Sequence, residues 1–192
     1  MIIGMLFAPN TFINGLVTKA DVSKAEVKEK KINHAESNYI SKYQFEKGYK
    51  EAIEFIKSHE GFAGGKAYYD AGGIKTIGYG HVIKPGEHFS DRITKKQADI
   101  LLRKDFDKAV RAAERETNVK GYKKIVVAHF IYAKGIGNFL KSTFRKKVLE
   151  NKPVDEELKK WCYYRNNKGI PVRSEYIYKI RLWEIEMYNR EM

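Results

Sequence analysis

Two carboxylic acids and a threonine lie close together near the end of the first third of the sequence. Asp70 follows Glu60 by ten positions, and Thr76 follows Asp70 by six. Cleavage of a glycosidic bond requires one carboxylic acid that protonates the departing oxygen and a second carboxylate that holds a water or attacks the sugar. The three residues could therefore hydrolyse a glycoside, with the Thr76 hydroxyl positioning a water. Because most surface acids are only solvated charges, this reading requires elements that bring the side chains together.

The elements around these residues favour such an arrangement. Apolar residues at helical spacing predict an amphipathic helix that ends at Glu60, with Gly61 as its C-terminal stop. They are Phe45, Tyr49, Ile53 and Ile56. The next stretch, KAYYDAGGIKTIGYGHVI, predicts short strands with a tight turn at 71–73, so that the chain reverses and Asp70 faces Glu60. We also expect apolar cover over Glu60 from Phe62 and Ile56, as an acid that donates a proton near neutrality requires.

Helical periodicity returns after the strands. Thr94 followed by Gln97 is typical of a capping box, and the apolar repeat continues through Val110. Residues 125–133 are apolar on nearly all sides, which predicts a central buried helix. Further helices are predicted at 141–150, 154–164 and 173–188. The fold class is therefore α+β and mostly helical, with a small β element followed by a helical lobe.

The first 44 residues differ from the rest. Residues 1–17 are apolar but are interrupted by Pro9, and they are shorter than the ~20 residues that span a bilayer. Thr18 and Ala20 would allow cleavage after Ala20, although no basic residue precedes the apolar stretch. Residues 1–20 therefore fit a signal peptide, a membrane-dipping segment or an apolar tail packed on the domain. Residues 21–44 predict a charged linker or frayed helix, and residues 45–192 predict the folded domain.

Composition limits the classes of function. A chain of 192 residues has room for one ordinary domain, and 43% hydrophobic residues exclude a wholly disordered protein. The net charge is +13, of which the segment from Lys120 to Met192 carries +9. This charge indicates either a polyanionic partner or solvated helix faces. Cys162 is the single cysteine and the five histidines lack metal-ligand spacing, so we expect no disulfide, no metal and no cofactor.

Three segments, in order, resemble the phage-type lysozymes, glycoside hydrolase family 24, also called endolysins or muramidases. The first is EGFAGGKAYYDAGGIKTIGYGHVI from Glu60, the second is FIYAKGIGNFLKST from Phe130, and the third is WCYYRNNKGIPVRSE from Trp161. The resemblance covers about residues 49–188. It implies a lysozyme-like fold, in which a small antiparallel β lobe and a helical lobe enclose the active-site cleft.

The resemblance assigns roles to the candidate residues. Glu60 would be the general acid, Asp70 the second carboxylate and Thr76 the residue that helps place the attacking water, so that hydrolysis inverts the anomeric centre. Arg173 would pair with the catalytic glutamate. Tyr132 and Ser142 match positions that line the cleft and contact the sugar chain, and His81 would support the β lobe through a structural hydrogen bond.

The chain departs from the family pattern in three places. The interval between Glu60 and Asp70 is one residue longer than in most members, which the glycine-rich 63–65 segment can absorb. Ala133 stands where asparagine is usual, and Ser174 replaces the second arginine of the C-terminal pair. None of these departures removes a catalytic group.

These features predict a monomeric lysozyme that cuts the β-1,4 bond between N-acetylmuramic acid and N-acetylglucosamine and so lyses bacteria. Its partner would be peptidoglycan in the anionic cell envelope, with no specific nucleic acid and with transient membrane contact through the N-terminal segment. It would be secreted or periplasmic if that segment is a signal, and otherwise held in the host cytoplasm until released. Two alternatives remain. A transglycosylase would have no water for Asp70 and Thr76 to place, and a non-catalytic basic module for cell wall or nucleic acid would not depend on Glu60.

Overall fold

Seven α-helices and two small antiparallel sheets form the part of the chain that the computed structural model describes, residues 19–70, 73–165 and 169–190. The elements are, in order, α1 Lys19–Glu60, β1 Tyr68–Tyr69, β2 Lys75–Ile77, β3 His81–Val82, α2 Lys95–Glu116, α3 Gly121–Lys134, α4 Ile136–Lys141, α5 Thr143–Leu149, α6 Asp155–Lys159, a 3₁₀ turn Lys160–Cys162, β4 Tyr163–Arg165, β5 Pro171–Arg173 and α7 Glu175–Tyr188. Helix dominates, and the α+β lysozyme-like fold class is confirmed. A search of the described residues finds no helix that is both apolar and long enough to cross a bilayer.

Helix α1 ends where the sequence predicts. Gly61 follows Glu60 with a positive φ of 66° and donates its N–H to the Lys57 carbonyl at 3.2 Å, so glycine closes the helix. Residues 21–44 are helical, which selects the helix from the two alternatives predicted for this stretch. Contacts within the chain separate Met1–Asn38 from Tyr39–Met192. The predicted signal or membrane segment lies almost wholly outside the described residues.

The β lobe is a three-stranded sheet in the order β1-β2-β3. Thr76 in the middle strand pairs with Tyr68 on one side and with Val82 on the other. A second, small core of Ile77, Ile93 and Ala98 lies beneath this sheet. At Gly78, φ is 68° and an added Cβ would lie 2.9 Å from the Ala98 Cβ, so the absence of a side chain lets the sheet approach α2 closely.

The helical lobe holds the larger core. Helix α2 begins with the predicted capping box, in which the Thr94 hydroxyl accepts the Gln97 N–H at 3.2 Å and the Gln97 side chain accepts the Thr94 N–H at 2.7 Å. Helix α3 confirms the predicted central helix, since most of its residues are buried. The largest fully buried apolar side chains of this core are Ile53, Leu102, Phe106, Ile125, Phe130, Phe139, Phe144, Leu158 and Met187.

The C-terminal part corrects the sequence prediction. The helix predicted at 154–164 ends at Cys162, because the next residues form β4 and pair with β5 in a hairpin. The helix predicted at 173–188 begins two residues later, since Ser174 is its N-cap and accepts the Ile177 N–H at 3.2 Å. Aromatic Tyr163 and Tyr164 favour strand over helix, and Pro171, which has no N–H, occupies the terminal pair of the hairpin.

Candidate active site

A cleft of about 670 Å³ opens where the β lobe faces α2 and α3. Three of the predicted site residues line it, Glu60, His81 and Tyr132. Asp70, Thr76, Arg173 and Ser142 do not. The rest of the lining comes from Tyr79, Gly80, Val82, Lys84, Asp105, Lys108, Ala109, Ala112, Arg115, Ile131, Ala133, Gly135 and Ile136. The cleft thus has an apolar floor with acids and bases distributed along its walls.

Glu60 is the last residue of α1, and its side chain is exposed to the cleft. This exposure does not support the expected apolar cover over the acid. Ile56 points instead into the helical core, where it is 2% exposed. Among the residues that the structure describes, no basic side chain forms an ion pair with Glu60. The carboxyl group is therefore accessible to a ligand in the cleft.

Three tyrosines surround this acid. Burial raises the pKa of Tyr68, Tyr132 and Tyr176, and the negative charge of Glu60 raises each pKa further. The Tyr176 hydroxyl donates to the carbonyl of His59 at 2.6 Å, so the start of α7 is bonded to the end of α1 beside the acid. Sequence reasoning missed Tyr68 and Tyr176. Strand alternation could have indicated Tyr68, since it stands two positions before Asp70, whereas no local pattern marks Tyr176.

Asp70 closes the turn between β1 and β2. Its carboxylate accepts the Ile74 N–H at 2.8 Å, and its own N–H donates to the Ile74 carbonyl at 3.0 Å. Because side chains alternate along a strand and paired residues share a face, Asp70, Tyr68 and Thr76 lie on one face of the sheet. After burial, the charges of Glu60 and then Asp70 contribute to the raised pKa of Tyr68, which places this phenol near both carboxylates.

Thr76 is nearly buried, with 3% of its surface exposed. Its hydroxyl donates to the Ile74 carbonyl at 2.9 Å, so the oxygen retains only acceptor capacity for a further partner. The Thr76 side chain is thus held by Ile74, which also binds Asp70. Asp70 and Thr76 are therefore bonded to the same residue of the sheet lobe, Ile74, whereas Glu60 belongs to α1.

His81 joins the β lobe to the helical lobe. Its Nδ1 lies 2.5 Å from Asp105 and its Nε2 lies 3.0 Å from Glu87, and the ring is buried. These contacts are of the structural kind predicted for this histidine. The backbone N–H of Lys84, followed by His81, lowers the pKa of Glu87. Asp105 also binds Lys108 at 2.7 Å.

Tyr132 lines the cleft as predicted, whereas Ser142 does not. The Tyr132 hydroxyl donates to the Tyr79 carbonyl at 3.3 Å, which connects α3 to the sheet lobe. Ser142 is the N-cap of α5: its hydroxyl accepts the Arg145 N–H at 3.0 Å and donates to the Phe139 carbonyl at 2.7 Å. Because the cap uses this hydroxyl for two backbone groups, the sugar contact expected for Ser142 is not supported.

The expected ion pair between Arg173 and Glu60 is also absent from the structure. The Arg173 Nε lies 3.1 Å from Glu175, and its guanidinium lies 3.8 Å from the centre of the Tyr178 ring. Arg173 belongs to β5, so an acid two residues away and an aromatic ring on the first turn of α7 are its local partners. The hydroxyl of Tyr176, rather than this arginine, reaches the end of α1.

The described residues contain no group of three or more His, Cys, Asp or Glu side chains that could hold a metal ion. The chemistry that the cleft offers is that of an accessible carboxylic acid on one wall and a second carboxylate fixed on the neighbouring sheet. Such a pair can donate a proton to a leaving oxygen and orient a water.

Comparison with known proteins agrees with the resemblance to phage-type lysozymes. The family model described as phage lysozyme matches residues 57–175. The fold is similar to the endolysin from Escherichia coli O157:H7 phage FAHEc1, with 29% identity, coverage of 72% of this chain and 90% of that chain, and a TM-score of 0.62. It also resembles the muramidase domain of SpmX from Asticaccaulis excentricus, with 24% identity, coverage of 73% and 96%, and a TM-score of 0.65.

A mutant of the lysozyme of phage P22 is a further neighbour, with 22% identity, coverage of 72% of this chain and 94% of that chain, and a TM-score of 0.57. At these identities the SpmX and P22 similarities concern the fold alone. No curated protein matches the sequence.

Proposed function

Since this chain belongs to the phage lysozyme family, we propose that it hydrolyses the β-1,4 bond between N-acetylmuramic acid and N-acetylglucosamine in bacterial peptidoglycan. One observation carries the proposal: Glu60 is an exposed carboxylic acid, at the end of a helix, in the wall of an open cleft of about 670 Å³. An open cleft suits a polymeric glycan better than it suits a small enclosed ligand.

In the proposed mechanism, Glu60 acts as the general acid. Cleavage of the glycosidic bond leaves an oxygen that needs a proton, and a carboxylic acid held against that oxygen supplies it as the bond lengthens. The bond from Tyr176 to the His59 carbonyl supports this role, because it fixes the backbone next to the acid. Tyr132 would contact the sugar on the floor of the cleft.

Asp70 and Thr76 would hold the attacking water. Asp70 accepts a proton from the water, while the Thr76 oxygen, whose own proton is directed to the Ile74 carbonyl, accepts the second hydrogen bond. Attack from the side opposite Glu60 inverts the configuration at the anomeric carbon. The shared sheet face of Asp70 and Thr76 supports this pairing, and Tyr68, near both acids, would fill the space between them.

The replacement Glu60→Gln tests the proposal, because it keeps the shape of the side chain and removes the proton donor. We expect the clearing of permeabilised bacteria to fall at least about 100-fold, the usual contribution of a general acid. Glu54→Gln is the matched control, since Glu54 lies on the same helix, is exposed and is not part of the cleft.

Two further measurements sharpen the test. Released fragments should carry N-acetylmuramic acid at their new reducing ends, and proton NMR during the first turnovers should show the inverted anomer. Wild-type protein that clears no bacteria, or Glu60→Gln that clears them as well as wild type, would show that the proposal is wrong and would favour a non-catalytic binding module. Fragments that end in an anhydro sugar would indicate a transglycosylase.

A further inference from the structure

Three aromatic rings form a column at the last turn of α1. The Phe55 ring stacks on the Trp183 ring of α7, with centroids 3.9 Å apart and planes 9° apart. It also stacks on the His59 ring, with centroids 3.8 Å apart and planes 28° apart. We call Trp183, Phe55 and His59 the ring column. His59 directly precedes Glu60, so the column ends beside the proposed acid.

The ring column is distinct from the main core. Ala52, Ile53 and Ile56 of α1 enter that core and are at most 2% exposed, whereas all three rings of the column are half-buried. Trp183 only borders the core. Stacked rings gain from a defined relative geometry in addition to the area that they bury. The column is therefore better suited to fix an orientation than to fill volume.

The column is one of several contacts that join α1 to the C-terminal segment. These contacts are Tyr176 with His59, Trp183 with Phe55, and Arg190 with Glu51. Each step advances seven residues along the C-terminal segment and goes back four residues along α1. The two segments therefore run in opposite directions, and two of the three contacts lie in the last six residues of α1.

The end of α1 depends on these contacts, because the last four carbonyls of a helix have no partner within it. The Lys57 carbonyl accepts the Gly61 N–H at 3.2 Å, and the His59 carbonyl accepts the Tyr176 hydroxyl at 2.6 Å. The His59 Nδ1 lies 2.9 Å from the Phe55 carbonyl, and since a carbonyl only accepts, this nitrogen carries the proton. Both the main chain and the ring of the residue before the acid are thus fixed.

The other end of the column is attached to buried structure. His129 of α3 contacts the Trp183 ring with centroids 4.9 Å apart and planes at 65°. The Nδ1 of His129 lies 2.6 Å from a carboxylate oxygen of Glu184, which is fully buried and follows Trp183 on α7. Arg181 holds the second carboxylate oxygen at 2.9 Å. The column therefore connects the centre of the helical lobe to the end of α1.

Glu60 has little other support. Among the described residues, no basic side chain forms an ion pair with it, and Arg173, the expected partner, binds Glu175. A general acid must lie within hydrogen-bond distance of the leaving oxygen, and a misplacement of 1 Å can cost about 100-fold in rate. The position of the acid thus depends on the backbone of the last turn of α1.

We propose that Trp183 is a positioning residue: through the ring column it holds the last turn of α1 so that Glu60 meets the leaving oxygen. This inference rests on the proposed function and adds a requirement outside the cleft. Trp183 does not belong to the cleft lining, so its replacement should slow the chemical step and leave glycan binding unchanged.

The test compares Trp183→Leu, which removes the stacked ring, with Trp183→Phe, which keeps a ring that can stack on Phe55. Leu182→Ala is the matched control, since Leu182 is the preceding residue of α7 and is 42% exposed. On soluble, uncrosslinked glycan strands, we expect kcat of Trp183→Leu to fall about tenfold with KM within about twofold of wild type. Trp183→Phe should keep about half of the wild-type kcat or more, and the control should match wild type.

A second ring tests whether the column acts as one unit. Phe55→Leu should lower kcat by a similar factor. The double variant with Trp183→Leu should lose no more than either single variant, because each replacement breaks the same stack. Sedimentation of the Glu60→Gln protein with purified walls, with and without Trp183→Leu, should show equal binding, which a general loss of structure would not leave intact.

Four results would overturn the inference. The loss could lie in KM, it could be equal in Leu182→Ala, Trp183→Phe could be as slow as Trp183→Leu, or the losses could add in the double variant. If far-UV circular dichroism shows that Trp183→Leu does not fold, Trp183→Phe and Phe55→Leu decide by the same kcat criterion. In each case active wild type and inactive Glu60→Gln leave the proposed function intact, whereas inactive wild type rejects the proposed function itself.

Discussion

The helical lobe and the β lobe hold the proposed catalytic residues with very different amounts of buried structure. In the helical lobe, Phe130 packs against Phe139, Phe144 and Trp161, within a core that also includes the α1 residues just before Glu60. In the β lobe, strands of two or three residues cover a core made of Ile77 and two other buried side chains. The proposed proton donor thus lies on the strongly packed lobe, and the proposed water-binding pair lies on the weakly packed one.

Buried charges increase this difference. In the helical lobe, Glu184 is fully buried between His129, at 2.6 Å, and Arg181, at 2.9 Å, which joins α3 to α7. The nearest counterpart in the β lobe, His81, is bonded to acids that remain partly exposed. Removing one partner of a buried pair is costly, so the helical lobe resists partial opening more than the sheet does.

The largest effect is expected from Phe130→Ala. This change leaves a cavity at the centre of the aromatic core and should lower the free energy of unfolding by about 4 kcal/mol. Urea unfolding followed by far-UV circular dichroism, together with lytic activity, measures it. Because one contiguous core holds this lobe together, we expect it to unfold as one unit and activity and helix signal to be lost together.

Leu149→Ala is the control, since Leu149 is half exposed on α5 and its truncation should change stability by less than about 0.5 kcal/mol. If Phe130→Ala lost activity well before it lost helix signal, the cooperative behaviour inferred for the helical lobe would be incorrect.

A smaller and more local effect is expected from Ile77→Ala in the β lobe. The truncation should cost about 2 kcal/mol, because only a small part of the core surrounds this side chain. On heating, activity should fall several degrees before the far-UV signal, since the sheet that carries Asp70 and Thr76 can open while the helices persist.

Hydrogen exchange at the amides of β2 tests whether the sheet opens before the helices unfold. The control is Ile74→Ala, at a side chain 48% exposed in the β1–β2 turn region. Coincident loss of activity and far-UV signal in Ile77→Ala would mean that the two lobes unfold together after all.

The sequence predicted best those features that depend on neighbouring residues. The end of α1 at Glu60, the capping box at Thr94 and the buried α3 follow from local periodicity and local hydrogen bonds. The N-cap at Ser142 is also a local feature, and the Ser-Thr pair before a helical repeat could have indicated it. The Ser142 hydroxyl was instead expected to bind sugar.

The sequence could not predict the features that depend on distant segments. The pairing of β4 with β5, the proximity of Tyr176 to Glu60 and the choice of Glu175 as the partner of Arg173 arise from how the C-terminal segments fold back. Periodicity describes one element at a time and contains no information on which elements meet.

The smallest effect is expected at acid pH, where the stabilisation by the Asp99 carboxylate on α2 is lost. Burial raises the pKa of Asp99, but hydrogen bonds from Lys57 and Arg103 outweigh it, so the pKa is lowered overall. The stabilisation is therefore present above the unfolded pKa of about 4 and is lost as the pH falls through the lower folded pKa.

Unfolding free energies between about pH 5 and pH 2.5 should fall less steeply for Asp99→Asn than for wild type, with a difference of at most about 1 kcal/mol. Asp91→Asn, at a side chain 85% exposed, should follow the wild-type curve. Parallel curves for wild type and Asp99→Asn would assign the acid sensitivity of α1 and α2 to other groups.

The bond between Tyr176 and His59 also has a consequence for the timing of protein synthesis. The two residues are 117 positions apart, so the carbonyl beside Glu60 has no such partner until most of the remaining chain has been translated. At about 5–20 residues per second, this interval lasts on the order of ten seconds. A nascent chain that already carries Glu60, Asp70 and Thr76 therefore lacks the completed support of its acid until its last helix leaves the ribosome.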